Sequence, residues 1–352
     1  MNKTAPVLIQ SGLPVLLIGE PGTGKTAWVR SFAKSLNIHV ETLIGSVLDP
    51  TDVGGLPAPD GDRARYLLPD WFCRLSKAGG GILFLDELTC SAPSVQAALL
   101  RVVHERAIHG SELPPRTWIV AAANPPEQAA GGWDLAAPLA NRFAHLQWAV
   151  DAEHWMDGMV SGWSQKPEKA LPAGWERRIG EQRGIIAGYI RHSPASLQKM
   201  PEQDIQRSNP WPSARTWDNA AVALAACEAA EIEPHDALGG IIGDGESIAF
   251  LHWRKSLDLP DPETLLANPD KCKLPDRDDN LFISLNALAS AYVRTQTANR
   301  WDAAWIILGR VAETAPDVGA IAARQVAQHR PKGGKTPKQA AAYLPLLKEM
   351  GE

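Results

Sequence analysis

The sequence predicts an α/β fold on a parallel sheet that gives way to a mostly helical second half. Three observations predict it. The apolar run Val15-Leu16-Leu17-Ile18 leads into Gly19-Glu20-Pro21-Gly22-Thr23-Gly24-Lys25-Thr26, the order strand, glycine loop, helix start. Short β-like runs then alternate with helical patterns up to about residue 150. Beyond that point strand signals fade, and apolar residues recur at helical spacing, as at Leu281, Leu285, Leu288 and Tyr292.

The expected strands are Val15 to Ile18, His39 to Leu43, Ile82 to Leu85, Trp118 to Ala122 and Ala144 to Trp148, with a helix from Ala27 to Leu36 after the glycine loop. Ligands of such sheets sit beyond the carboxyl ends of the strands. Two connections are too long to be simple ones. Asp49 to Pro69, with Gly54-Gly55-Leu56-Pro57 and Pro59-Asp60-Gly61-Asp62, reads as a hairpin standing off the core, and Arg106 to Pro115 as a shorter one. Proline-rich joints at Leu259-Pro260-Asp261-Pro262 and Arg330-Pro331-Lys332-Gly333-Gly334 separate helical segments, the last expected from Lys338 to Met350.

The eight residues Gly19 to Thr26 fit G-x-x-x-x-G-K-[ST]. Glycines let backbone N–H groups converge on phosphate oxygens while the following helix presents its positive end to the same anion. Lys25 is placed to reach the outer phosphates, and the Thr26 hydroxyl to ligand the Mg²⁺ that bridges them. The pattern implies a bound nucleoside triphosphate and does not choose its base. Gly81-Ile82-Leu83-Phe84-Leu85-Asp86-Glu87 is an apolar strand ending in two carboxylates. Asp86 can hold Mg²⁺, and Glu87 can act as general base toward the attacking water. Asn124, after the next strand, could orient the same water.

The series Gly19 to Thr26, Asp86-Glu87, Asn124, Asn141-Arg142-Phe143 and Pro212-Ser213-Ala214-Arg215 resembles the AAA+ ATPases. The stretch Ser94-Val95-Gln96-Ala97-Ala98-Leu99-Leu100 with Glu105-Arg106, and the two insertions, are similar to the MoxR-like branch. The resemblance covers roughly residues 10 to 250 and implies a P-loop AAA+ core with a helix-2 insert (1–150), a helical lid (151–258) and a helical C-terminal extension (259–352). It implies ATP as the nucleotide, Asn124 as sensor 1, Arg142 as an arginine finger reaching a neighbouring subunit, and Arg215 as sensor 2. Ser213 is a plausible cap for the helix carrying Arg215. It further implies a homo-oligomeric ring, a hexamer, acting as a chaperone beside a partner with a von Willebrand factor A domain. An arginine supplied in trans makes hydrolysis depend on assembly, and head-to-tail contacts close into a ring. Two other readings differ in class: a nucleic-acid motor using Arg63, Arg65 and Tyr66 of the first insert, and a low-turnover nucleotide-gated scaffold, against which an intact Glu87 argues.

Composition sets the outer bounds. The 352 residues are 45% hydrophobic and 21% charged, with no run long enough to span a bilayer and no signal-peptide pattern, so a cytoplasmic protein is expected. A net charge of −5 weighs against a protein whose main task is gripping nucleic acid. Cys73, Cys90, Cys227 and Cys272 lie far apart and suggest neither zinc nor a disulfide framework. The 13 tryptophans are scattered and read as packing residues. Three imitations are set aside. His104 and His109 are spaced one residue too far for a zinc-protease helix face. Asp276-Arg277-Asp278-Asp279-Asn280 lacks the glycine and glutamate of a calcium loop and reads as a solvated turn. Gly333-Gly334-Lys335-Thr336 has no strand before it and reads as a basic linker.

Overall fold

The computed structural model describes residues 3–125, 132–162, 169–331 and 337–345. In chain order the sheet half contains α1 (Thr4–Gln10), β1 (Val15–Ile18), α2 (Lys25–Ser35), β2 (Val40–Ile44), α3 (Pro50–Gly54), β3 (Leu56–Asp60), β4 (Arg63–Leu67), α4 (Asp70–Lys77), β5 (Gly80–Asp86) and α5 (Pro93–Glu105). It continues with β6 (Ala107–Ile108), β7 (Ser111–Glu112), β8 (Arg116–Ala123), α6 (Ala137–Ala140) and β9 (Ala144–Gln147). Among the described residues only helices and turns follow: α7 (Ala152–Ser161), α8 (Ile179–His192), α9 (Ala214–Ala229), α10 (His235–Ile242), α11 (Asp244–Lys255), α12 (Pro262–Ala267), α13 (Asp278–Arg294), α14 (Ala298–Ala312) and α15 (Pro316–Gln328).

Five strands form one parallel sheet in the order β2-β5-β8-β1-β9, and each matches an expected strand. The register sets Ile18 beside Ala123, Leu85 beside Ala121 and Ile44 beside Asp86, which aligns the carboxyl ends of four strands. Parallel strands covered by helices bury both faces, hence the unbroken apolar runs. Ile82, Leu83, Phe84 and Leu85 are almost wholly buried, Leu83 and Leu85 in a cluster with Leu75, Val95, Leu99 and Ile119. Both insertions are hairpins. β3 pairs antiparallel with β4, and β6 with β7 as a two-residue ribbon whose turn, His109-Gly110, has positive φ at both positions, as a tight hairpin turn requires.

The chain divides into two compact units, Met1–Glu176 with Leu197–Ile248, and Arg177–Ser196 with Ala249–Glu352. In the first, α9 and α10 pack beside the sheet. Gly240 of α10 lies so close to the His145 carbonyl of β9 that a Cβ would collide with it. In the second, α8 and α15 pack on α13, whose Leu281, Leu285, Leu288 and Tyr292 form the expected buried face.

Aromatic packing accounts for many tryptophans. Trp301 and Trp305 meet edge to face at 5.7 Å, and Trp28 stacks on Phe32 at 5.3 Å, whereas Trp133 and Trp155 are exposed. Two sequence expectations are corrected. The 276–280 stretch is not a solvated turn: Asp279 is buried in the first turn of α13, accepting hydrogen bonds from Arg277 and from the Trp253 indole at 3.1 Å. Lys338–Tyr343 is a 3-10 helix instead of an α-helix, its end pinned by the Tyr343 hydroxyl donating to the Leu308 carbonyl at 2.7 Å. Leu344 and Pro345 continue it as helix, whereas 346–350 of that expected helix, and the 333–336 linker, lie outside the described residues.

Candidate nucleotide site

The loop between β1 and α2 holds Gly22 at φ 78° and Gly24 at φ 84°, the left-handed region that residues with a Cβ rarely adopt. These turns bring the chain back under the first turn of α2, so its unpaired N–H groups and positive dipole end face the loop. Trp148, just past β9, braces the loop. Its indole donates to the Thr23 carbonyl at 3.1 Å, and its own carbonyl lies against Gly19, where a Cβ would not fit.

Lys25 is buried. Its ammonium donates to the carbonyls of Gly19 (2.5 Å) and Glu20 (2.9 Å) and to Oδ1 of Asn124 (3.2 Å). Burial lowers its pKa, with the Asp86 charge opposing that shift. A desolvated cation resting on neutral oxygens suits an anionic ligand. Thr26 Oγ1 donates to Asp86 Oδ2 at 2.7 Å, so a hydroxyl and a carboxylate share one spot. Two hard oxygen donors of this kind fit Mg²⁺. Parallel register explains the convergence, because β1 neighbours β8 and β8 neighbours β5, bringing residues about 100 positions apart to one crevice.

Glu87 adopts a left-handed conformation (φ 55°, ψ 41°), uncommon for a residue with a side chain. Its Oε2 accepts a hydrogen bond from Ser46 Oγ at 2.5 Å. Ser46 follows β2, the strand paired with β5, and was not singled out from the sequence. The preceding Gly45 makes the approach possible: a Cβ there would strike the Glu87 carbonyl and the Ser91 hydroxyl.

Arg142 and Arg215 come close to each other. Burial lowers the Arg142 pKa, and the charge of Arg215 lowers it further. Arg142 donates to the Pro138 carbonyl. Arg215 stands in the first turn of α9, which Ser213 caps as expected, accepting from the Thr216 amide at 3.2 Å. Between the arginines lies the buried Asn141. Its Oδ1 accepts from Ser213 Oγ (3.0 Å) and Arg215 Nη1 (3.3 Å), and its Nδ2 donates to the Trp211 carbonyl (3.2 Å). Among the described residues no hydrogen bond joins either arginine to Lys25, Thr26, Asp86 or Glu87.

Comparisons with known proteins find a family model, a relative and a solved structure similar to parts of this chain. Residues 14–143 match the family model of the AAA domain, dynein-related subfamily. The uncharacterized protein YeaC of Bacillus subtilis (strain 168) is 30% identical over 118 residues, 32% of this chain, and the match spans 35% of YeaC's own length. The crystal structure of a "putative ATPase" from Cytophaga hutchinsonii ATCC 33406 superposes with a TM-score of 0.48 at 20% identity, covering 68% of this chain and 79% of that one. The strand from Val15, the glycine loop and the carboxylate pair thus sit inside the segment that is similar to the AAA domain, dynein-related subfamily.

Proposed function

We propose that this protein is a Mg²⁺-dependent ATPase of the MoxR-like branch that assembles head to tail into a ring of about six subunits. In this reading it uses hydrolysis to remodel, mature or assemble another protein, working beside a partner with a von Willebrand factor A domain. The observation that carries the hydrolytic part is the convergence of Lys25 with Asn124, and of Thr26 with Asp86, beside Glu87.

In this reading the loop N–H groups and Lys25 bind the phosphates, and Asn124 orients both the ammonium and a water. Bound Mg²⁺ would supply charge neutralisation at the phosphate oxygens. Glu87 accepts the proton of the attacking water once its carboxylate exchanges the Ser46 hydroxyl for that water. Arg142 of one subunit and Arg215 of the other would flank the departing phosphate, each adding positive charge to its oxygens.

A second reading draws on Arg63, Arg65 and Tyr66, all exposed on the first insert: a motor whose hydrolysis is stimulated by nucleic acid in a salt-sensitive manner. The test of the leading reading is the ATPase rate per subunit against protein concentration, for wild type and Arg142→Ala. The wild-type rate should rise with concentration, and the variant should be slow and should depress wild-type activity on mixing by more than dilution. A rate independent of concentration, with simple dilution on mixing, would remove the shared site.

A further inference from the structure

The β3–β4 hairpin has two unequal edges. In an antiparallel pair, residues alternate between pairs that exchange N–H···O=C bonds and pairs that do not, and the backbone groups of the second kind point outward. Pro57 and Pro59 have no N–H, so Pro57↔Tyr66 and Pro59↔Ala64 are the pairs without ladder bonds. The ladder is carried by Leu56↔Leu67, Ala58↔Arg65 and Asp60↔Arg63.

It follows that the outer edge of β3 offers no N–H at Pro57 or Pro59 and cannot template a further strand. The outer edge of β4 is the opposite. The N–H and C=O groups of Ala64 and Tyr66 point away from β3, and no other strand pairs with β4 among the described residues. All five residues of β4 are exposed. Open edges of this kind are ordinarily blunted, as β3 is here by its prolines.

The side chains restrict what could lie there. Alternation puts Arg63, Arg65 and Leu67 on one face of the hairpin, with Leu56 opposite Leu67, and Ala64 and Tyr66 on the other. Tyr66 stacks on His109 of the β6–β7 turn at 3.4 Å between ring centroids and 9° between planes, which ties the two inserts together. Among the described residues neither the Arg63 nor the Arg65 side chain takes part in a hydrogen bond or ion pair. Leu56 and Leu67 are 56% and 49% exposed beside them.

We infer that the outer edge of β4 is a docking site for an extended polypeptide segment, which adds as a third strand with acidic side chains beside Arg63 and Arg65 and an aliphatic one beside Leu67. Backbone pairing supplies the affinity, and the alternate side chains supply selectivity. A second copy of this chain is the poorer occupant: antiparallel pairing through all four outward groups would set Arg65 directly opposite Arg65, a like-charge pair. The inference rests on the proposed action upon another protein for its purpose, while its geometry is independent of that reading.

The test uses the full-length protein and a fluorescein-labelled valine–glutamate dodecapeptide, in which one face reads glutamate, glutamate, valine in repeat and the other face is threonine, followed by fluorescence anisotropy. Three comparisons accompany it: the same peptide N-methylated at every second residue, a valine–lysine peptide, and single-stranded oligothymidylate. Wild type should bind the valine–glutamate peptide saturably, and N-methylation should weaken binding by about tenfold or more.

Ala64→Pro, which removes an outward N–H and spares the ladder, should weaken the unmodified peptide to a similar degree with an unchanged melting curve. Should that variant melt early, Arg63→Glu/Arg65→Glu, with the backbone edge intact, should transfer preference to the valine–lysine peptide. Equal binding of the methylated peptide would overturn the inference, as would no saturable binding up to ~1 mM or tighter binding of oligothymidylate. ATP affinity is measured on the same samples. A protein that binds ATP but not the peptide loses this inference alone, and one that binds the peptide but not ATP loses the ATPase reading alone.

Discussion

At the carboxyl ends of β1, β5 and β8, Lys25 rests on neutral oxygens within the field of Asp86, and Asp86 accepts from the Thr26 hydroxyl and the Glu87 amide with no ion pair among the described residues. In the helical second unit, Asp279 is equally secluded, yet its oxygens are taken up by Arg277, the Trp253 indole and the Asn280 amide. Burial alone would push the Asp279 carboxyl up, but these hydrogen bonds hold it below the ordinary aspartate range. The difference lies in what a strand end and a packed helix do with polar groups. Strand ends release side chains into a crevice with bonding capacity to spare, whereas packed helices must satisfy whatever they bury. Only the first arrangement is suited to a ligand.

The comparison breaks if the crevice cation proves dispensable. Lys25→Ala should reduce ATP affinity by about a hundredfold or more, as expected for losing a charge-assisted contact in a secluded site, with little change in folding. Titration calorimetry reads this directly, and unchanged affinity would mean the loop binds no phosphate. The complementary substitution belongs to the other unit. Asp279→Ala strands the buried Trp253 N–H and should cost about 1–3 kcal/mol in denaturant unfolding while leaving ATP affinity alone. A matching loss of ATP affinity would dissolve the distinction between the two clusters. The smallest effect is expected at Ser46→Ala. Freeing Glu87 from one hydrogen bond should raise basal turnover by no more than about tenfold without altering ATP binding, in steady-state assays. A fall in turnover would assign Ser46 a supporting role at the carboxylate instead of a restraining one.

Much of this was legible in the sequence because it is local. The strand runs, the glycine loop and the Asp86-Glu87 pair each declare themselves within ten residues, and all five strands appear where the apolar runs place them. The helical face of Leu281 to Tyr292 is equally local. What escaped depends on pairing at a distance. Ser46 matters only because β2 lies beside β5, a fact of strand order that no window around residue 46 contains. Asp279 looked solvated because its burial is decided by Trp253, on another helix. Arg142 and Arg215 belong to separate sequence motifs, and their closeness arises from Asn141, a motif residue whose role no neighbouring residue in the sequence declares.

That asparagine has a mechanical consequence. One amide grips the start of α9 through Ser213 and Arg215 and passes directly into the backbone of Arg142. A tilt of α9 therefore cannot move one guanidinium and leave the other behind. Asn141 is the pivot of a short lever, and its length, a single residue, makes the coupling stiff: lengthening the side chain at this position by one methylene would introduce play between the two arms before it removed either of them.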